Sequence, residues 1–156
     1  MPIRIQEMVD EGLPQKIEQK MANKKILIVE DDPYVLKAMH VLLQANRYDT
    51  FMAADAASSV VEARKYRPDL ILLDLGLPNE SGFVAMERFQ ANPYLASIPI
   101  IIVSGRPGHD NRVRAMQTGA KAFLEKPVDS DELMAVIRQA LGESCEPEKP
   151  VVTSGI

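Results

Sequence analysis

Several short apolar runs in this chain stop abruptly at a polar residue, and that repetition narrows the fold more than any other feature. Leu70-Ile71-Leu72-Leu73 ends in Asp74, and Ile26-Leu27-Ile28-Val29 ends in Glu30-Asp31-Asp32. Pro99 to Val103 ends in Ser104-Gly105, and Ala120 to Leu124 ends in Glu125-Lys126-Pro127. Continuous apolar runs of this length fit strands buried on both faces, as in a parallel sheet. Between them lie segments with apolar residues at helical spacing.

Taken in order, Asp32-Pro33 reads as an N-cap with proline at the first helical position. Val35, Leu36, Met39, Leu42 and Leu43 then give one apolar face. Tyr48 to Ala53 alternates, as expected of a partly exposed strand. Asp55 caps a helix through Val60, Val61 and Ala63, which Arg67-Pro68 stops. After the turn-rich Leu75 to Gly82 loop, Ser81 is expected to cap a helix carrying Phe83, Val84, Met86 and Phe89. His109 to Thr118 reads as a helix with a thin apolar face, chiefly Val113 and Met116, closed by Gly119. Asp129-Ser130-Asp131-Glu132 opens a strongly amphipathic helix through Leu133, Val136, Ile137, Ala140 and Leu141. Five strand–helix repeats require crossover connections and a parallel sheet covered on both faces. The expectation is a doubly wound α/β domain over residues 23–142. Residues 1–22 read as an N-terminal extension, in which Met21 offers an alternative start, and 143–156 as a disordered tail.

In a parallel sheet the carboxyl ends of all strands share one edge, where sites form in open α/β folds. Glu30, Asp31, Asp74, Ser104 and Lys126 all follow strands, so they converge if those strands are neighbours. Three carboxylates together repel one another, which a hard divalent cation such as Mg2+ resolves. A lysine and a hydroxyl beside a metal suit a phosphoryl group, whose oxygens they neutralise or bond. One carboxylate then serves as nucleophile and forms an acyl phosphate. Asp74 fits best, because the loop containing Gly76 leaves room for a donor to approach.

These residues resemble the receiver domains of two-component response regulators. The likeness is carried by Ile26 to Pro33, Asp69 to Gly82, Ile100 to Gly105 and Gly119 to Pro127, and the spacings from Asp74 to Ser104 and Lys126 match as well. The resemblance implies a flavodoxin-like five-stranded sheet of order 2-1-3-4-5 with five helices. It implies that Asp74 is the phospho-acceptor and that Asp31 and Asp74 bind Mg2+ directly, with Glu30 acting mainly through water. The backbone carbonyl of Gly76 would complete the protein ligands. Ser104 would be the switch hydroxyl, Phe123 the switch aromatic in a place where tyrosine is frequent, and Lys126 the phosphoryl-contacting lysine. A cis Lys126–Pro127 bond is implied as well. Asp32 would be chiefly a helix cap.

The partners implied are a histidine kinase or histidine phosphotransfer protein as donor, and a downstream target on the face formed by the fourth helix, fifth strand and fifth helix. The chain would be no enzyme beyond catalysing its own phosphorylation and dephosphorylation. Its net charge is -4 and its pI near 5.2, so neither nucleic acid nor an anionic membrane is favoured as a direct partner. The single cysteine, Cys145, excludes an internal disulfide, and a cytoplasmic location is expected. Only 15 residues follow Leu141, so the expected output is a protein contact, from a monomer or a dimer. Two rivals remain. A haloacid-dehalogenase-like phosphohydrolase would carry a second Asp where Gly76 stands. An interaction module would keep the fold without using phosphorylation.

Overall fold

A computed structural model describes residues 22–105 and 108–143. The extension and the tail expected at either end thus lie almost wholly outside the described residues. Strands and helices alternate throughout. They are β1 (Lys25–Val29), α1 (Pro33–Ala45), β2 (Asp49–Ala53), α2 (Ala56–Tyr66), β3 (Leu70–Leu73), α3 (Gly82–Ala91), β4 (Ile100–Ser104), α4 (His109–Thr118), β5 (Ala122–Glu125) and α5 (Ser130–Ala140). The five strands are all parallel and lie in the order β2-β1-β3-β4-β5. This is the flavodoxin-like arrangement that the resemblance implies.

Alternation along each strand divides the core into two layers. Leu27, Val29, Ile71, Leu73 and Ile102 face α2, α3 and α4, where they meet Ala63, Met86, Phe89 and Ala115. Ile26, Ile28, Leu70, Leu72, Ile101 and Val103 face the other way, toward Met39 and Leu43 of α1 and Leu133 and Ile137 of α5. Every residue of β3 and β4 is buried, as strands covered on both faces require.

The caps explain where most helices begin. Asp32, Asp55 and Asp129 each accept a backbone N–H of the first turn, from Tyr34, Ser58 and Glu132. Hydrogen bonding to Ser58 holds the Asp55 carboxyl below the usual carboxylate range. Three local expectations are corrected. Ser81 stands at the N-cap of α3, but its side chain makes no capping bond. Tyr48 precedes β2; it is buried, and its hydroxyl donates to Glu143 Oε1 at 2.6 Å. Burial first, and the neighbouring Glu143 second, push that hydroxyl far above the usual tyrosine pKa. On α4 the residue that enters the core is Ala115, whereas Met116 is 44% exposed. With so small a side chain as its anchor, α4 is lightly held.

Phe89 lies at the centre of the first layer, fully buried. Phe89→Ala is expected to cost about 3–5 kcal/mol through lost transfer energy and the cavity left behind. Urea denaturation monitored by circular dichroism measures it as a lower midpoint at unchanged slope.

Candidate functional site

The strand order decides which termini meet. β1 and β3 are neighbours, so Glu30 and Asp31 stand beside Asp74. β4 flanks β3 and β5 flanks β4, which brings Ser104 and Lys126 to the same edge. Backbone pairing continues past the strand ends and fixes these residues individually. Asp74 N donates to Val29 O at 3.0 Å, Glu30 N to Ala53 O at 3.0 Å, and Lys126 N to Ser104 O at 2.9 Å. Glu30, Asp74, Ser104 and Lys126 thus leave a backbone that is part of the ladder.

Carboxylate oxygens of Glu30, Asp31 and Asp74 all lie within 4.8 Å of one another. Glu30 and Asp74 are buried, at 2% and 7% exposure, and Asp31 is exposed. Lys126 reaches back across the edge between the two buried acids. Its Nζ is 2.5 Å from Glu30 Oε1 and 3.5 Å from Asp74 Oδ2. The remaining carboxylate oxygens of that pair meet backbone donors. Asp32 N donates to Glu30 Oε2 at 3.1 Å, and Gly76 N to Asp74 Oδ1 at 3.1 Å.

The electrostatics follow from this geometry. Burial raises the Glu30 carboxyl above its ordinary pKa; the hydrogen bonds from Lys126 and from the Asp32 N–H oppose that, and the Asp74 charge adds to it. Burial pulls the Lys126 ammonium down, but its bond to Glu30 and the charges of Asp74 and Glu30 outweigh that and raise it. One ammonium among three carboxylates leaves unmatched negative charge. A cluster of hard oxygen donors, partly open through Asp31, fits a small divalent cation that keeps several waters.

Ser104 is fully buried at the end of β4. Phe123 is only 4% exposed, so its ring already lies inward. The Arg112 guanidinium of α4 stands over that ring, 5.0 Å from its centroid, and 4.0 Å from Glu125 Oε2. The expected cis bond is present at Lys126–Pro127.

Two contributors escaped the sequence reading. The Asp32 backbone holds Glu30 in place, besides the side chain's capping of α1. Gly82 is the second. A Cβ there would lie 2.4 Å from the Asp74 carbonyl oxygen and 2.8 Å from Leu75 Cα. Only glycine lets the start of α3 pack against the backbone that carries Asp74, an approach closed by the Gly82 N to Leu75 O bond of 2.9 Å. A glycine at the first position of a helix was the available signal. In the same loop Asn79 takes φ 71, the left-handed region that asparagine tolerates better than most residues.

Comparison with known proteins identifies the family. The family model of the response regulator receiver domain matches residues 26–138, and the chain belongs to that family. It is 30% identical over 130 residues to the transcriptional regulatory protein KdpE of Mycobacterium tuberculosis, covering 81% of this chain and 56% of that protein. The chain therefore spans about half the length of that regulator. It is 31% identical over 121 residues to the polar-differentiation response regulator DivK of Brucella anthropi, covering 78% of this chain and 98% of that one. Among solved structures it is similar to the receiver domain of the sensor histidine kinase PA1611 from Pseudomonas aeruginosa. That match has a TM-score of 0.72 and 29% identity, over 78% of this chain and 100% of that one. The structure was determined with a magnesium ion coordinated in its active-site cleft.

Gly82→Ala is expected to force the start of α3 away from Asp74. Overpacking against backbone costs about 1–3 kcal/mol. Urea denaturation should show that loss, and Mg2+ titration followed by calorimetry should show weaker binding than in the parent protein.

Proposed function

We propose that this chain is a phosphorylation switch in which Asp74 accepts a phosphoryl group from a phosphohistidine on a partner histidine kinase or phosphotransfer protein. The observation that carries the reading is the position of Asp74. It is a buried carboxylate within 4.8 Å of two other acids, with the Lys126 ammonium nearby at 3.5 Å, whereas Glu30, the other buried acid of the cluster, is engaged directly by that ammonium at 2.5 Å. An Asp74 carboxylate oxygen forms the new P–O bond as the P–N bond to the imidazole breaks, and the imidazole departs with its electron pair. Mg2+ held by Glu30, Asp31, Asp74 and the Gly76 carbonyl would supply charge neutralisation for the phosphoryl oxygens. Lys126 neutralises a further oxygen, and the Ser104 hydroxyl donates to another. Gly76 N–H keeps the Asp74 carboxylate oriented through its bond to Oδ1.

Catalysis is confined to the chain's own phosphorylation and dephosphorylation. Ser104 lies on β4 and Phe123 on β5, so a shift of the hydroxyl toward the phosphoryl group is felt where Arg112 covers the Phe123 ring. With Ala115 as its buried anchor, α4 shifts at low cost. The face of α4, β5 and α5 then meets a downstream protein. Among the described residues no helix is long and apolar enough to cross a membrane. A cytoplasmic setting is part of the proposal, because phosphohistidine donors of this kind act there.

The test is intact-mass spectrometry after incubation with acetyl phosphate. The wild-type protein should gain one phosphoryl group only when Mg2+ is present, and Asp74→Asn should gain none. An adduct of the same yield in Asp74→Asn would overturn the assignment. Beryllofluoride binding to the wild-type protein but not to Asp74→Asn distinguishes a short-lived adduct from an absent one.

A further inference from the structure

The most distinctive feature outside the phospho-acceptor edge lies at the opposite edge of the sheet, where α2 and α3 end. Between them runs a cleft of about 590 Å3 lined by Val61, Arg64, Lys65, Arg67, Tyr94 and Leu95. A second cleft of about 470 Å3 shares Arg64 and Tyr94 with it and extends it to Arg88. Together they form one elongated, basic groove in a chain whose net charge is -4.

Part of this charge has a local explanation. Arg64 and Lys65 occupy the last turn of α2, where the helix macrodipole favours cations. Arg67 and Tyr94 are not accounted for in that way. Arg67 caps α2 in the left-handed region at φ 48, a position that glycine usually takes. That conformation accompanies a guanidinium set over the Tyr94 ring, 5.5 Å from its centroid. Tyr94 is 73% exposed and Val61 is 61% exposed, whereas Leu95 is buried beneath them. Arg88 is paired with Glu80 at 2.7 Å. Among the described residues, no carboxylate lies within 4.0 Å of Arg64, Lys65 or Arg67. The groove therefore offers three cations and an apolar, aromatic lining to an occupant that is acidic and partly apolar.

We infer that the occupant is the stretch Glu7-Met8-Val9-Asp10-Glu11 of this same chain. Its three carboxylates match the three cations, and Met8 and Val9 match Val61, Tyr94 and Leu95. The path supports the match. The chain enters the domain beside the groove, where Lys25 Nζ donates to the Tyr66 carbonyl at 2.9 Å, between Lys65 and Arg67. Lys25 N is also held by Asp69 Oδ2 at 2.7 Å. The residues between Glu11 and Lys25 can span up to about 45 Å when extended, and the entropy of closing such a loop grows only slowly with length. The intervening Lys16 and Lys20 outnumber Glu18, so that portion does not compete for a cationic groove. Docking at this edge leaves Asp74 uncovered, and the inference stands apart from the phospho-acceptor assignment.

Hydrogen–deuterium exchange of the full chain, read by mass spectrometry, tests it. The variants are Arg64→Glu/Arg67→Glu, Glu7→Lys/Asp10→Lys/Glu11→Lys, and the two combined. In the wild-type protein the amides around Glu7–Glu11 should exchange about tenfold more slowly than the rate for free peptide of that sequence. Either variant alone should abolish that protection, and the combined charge swap should restore it. Unchanged exchange in β3 and β4 identifies a variant that remains folded, and the Glu7→Lys/Asp10→Lys/Glu11→Lys chain leaves the domain itself untouched. Free-peptide exchange in the wild-type protein would overturn the inference. So would protection that survives both single charge reversals, or that disappears on dilution, since dilution separates a second copy but not a segment of the same chain.

Discussion

Mutual repulsion among Glu30, Asp31 and Asp74 is the constraint on which the rest of this structure depends. Carboxylates this close, two of them buried, destabilise one another and any fold that gathers them. The sheet order makes the gathering unavoidable, because β1 and β3 are neighbours and both end in acids. Lys126 offsets part of the cost by bonding Glu30 and approaching Asp74, and the N–H groups of Asp32 and Gly76 offset more. What remains is unmatched negative charge, an arrangement that suits a cation. The destabilising feature and the candidate functional one are therefore the same cluster of charge.

Such a cluster has to be held by something that does not yield. The two apolar layers supply that, with β3 and β4 buried throughout and their side chains alternating between α1 and α5 on one face and α2, α3 and α4 on the other. Rigidity is unevenly shared, however. α3 is locked by Phe83, Met86 and Phe89 and by the close approach at Gly82, whereas α4 inserts Ala115. A chemical change at Asp74 cannot easily move the sheet. It can move the element with least buried apolar area, and α4 touches the site region through Arg112 over Phe123.

Much of this was legible in the sequence, for a physical reason. Fully buried parallel strands need unbroken apolar runs, and a polar residue directly after such a run marks the strand's carboxyl end. The sequence therefore places Glu30, Asp31, Asp74, Ser104 and Lys126 on one edge of a parallel sheet. The order of the strands came from the resemblance, since apolar runs do not say which strands are neighbours. The details that were missed depend on backbone geometry or on crowding. Ser81 looked like a cap, and its extended backbone suits one, yet its side chain makes no capping bond. Met116 looked like core because it is large and apolar, but helix phase put Ala115 inward. Gly82 shows in the sequence only as a glycine at the first position of a helix, because its role is the absence of a side chain.

Helix polarity links the two edges of the domain. Every helix here follows a strand, so helix N-termini collect at the edge that bears Asp74 and helix C-termini collect at the other. Asp32, Asp55 and Asp129 cap at the first edge, while Arg64, Lys65, Arg88 and Arg138 occupy last turns at the second. Macrodipoles favour that sorting at each end separately. Repeated over parallel crossovers, the sorting places capping acids at one edge, the upper, and last-turn cations at the other, the lower. A further anion at the upper edge is repelled by those acids unless a cation offsets them. The lower edge attracts acidic chain by the same logic. Lys126 is the informative exception. It is a cation that this sorting would place elsewhere, and it stands against the sorting because the Glu30 and Asp74 carboxylates hold it there.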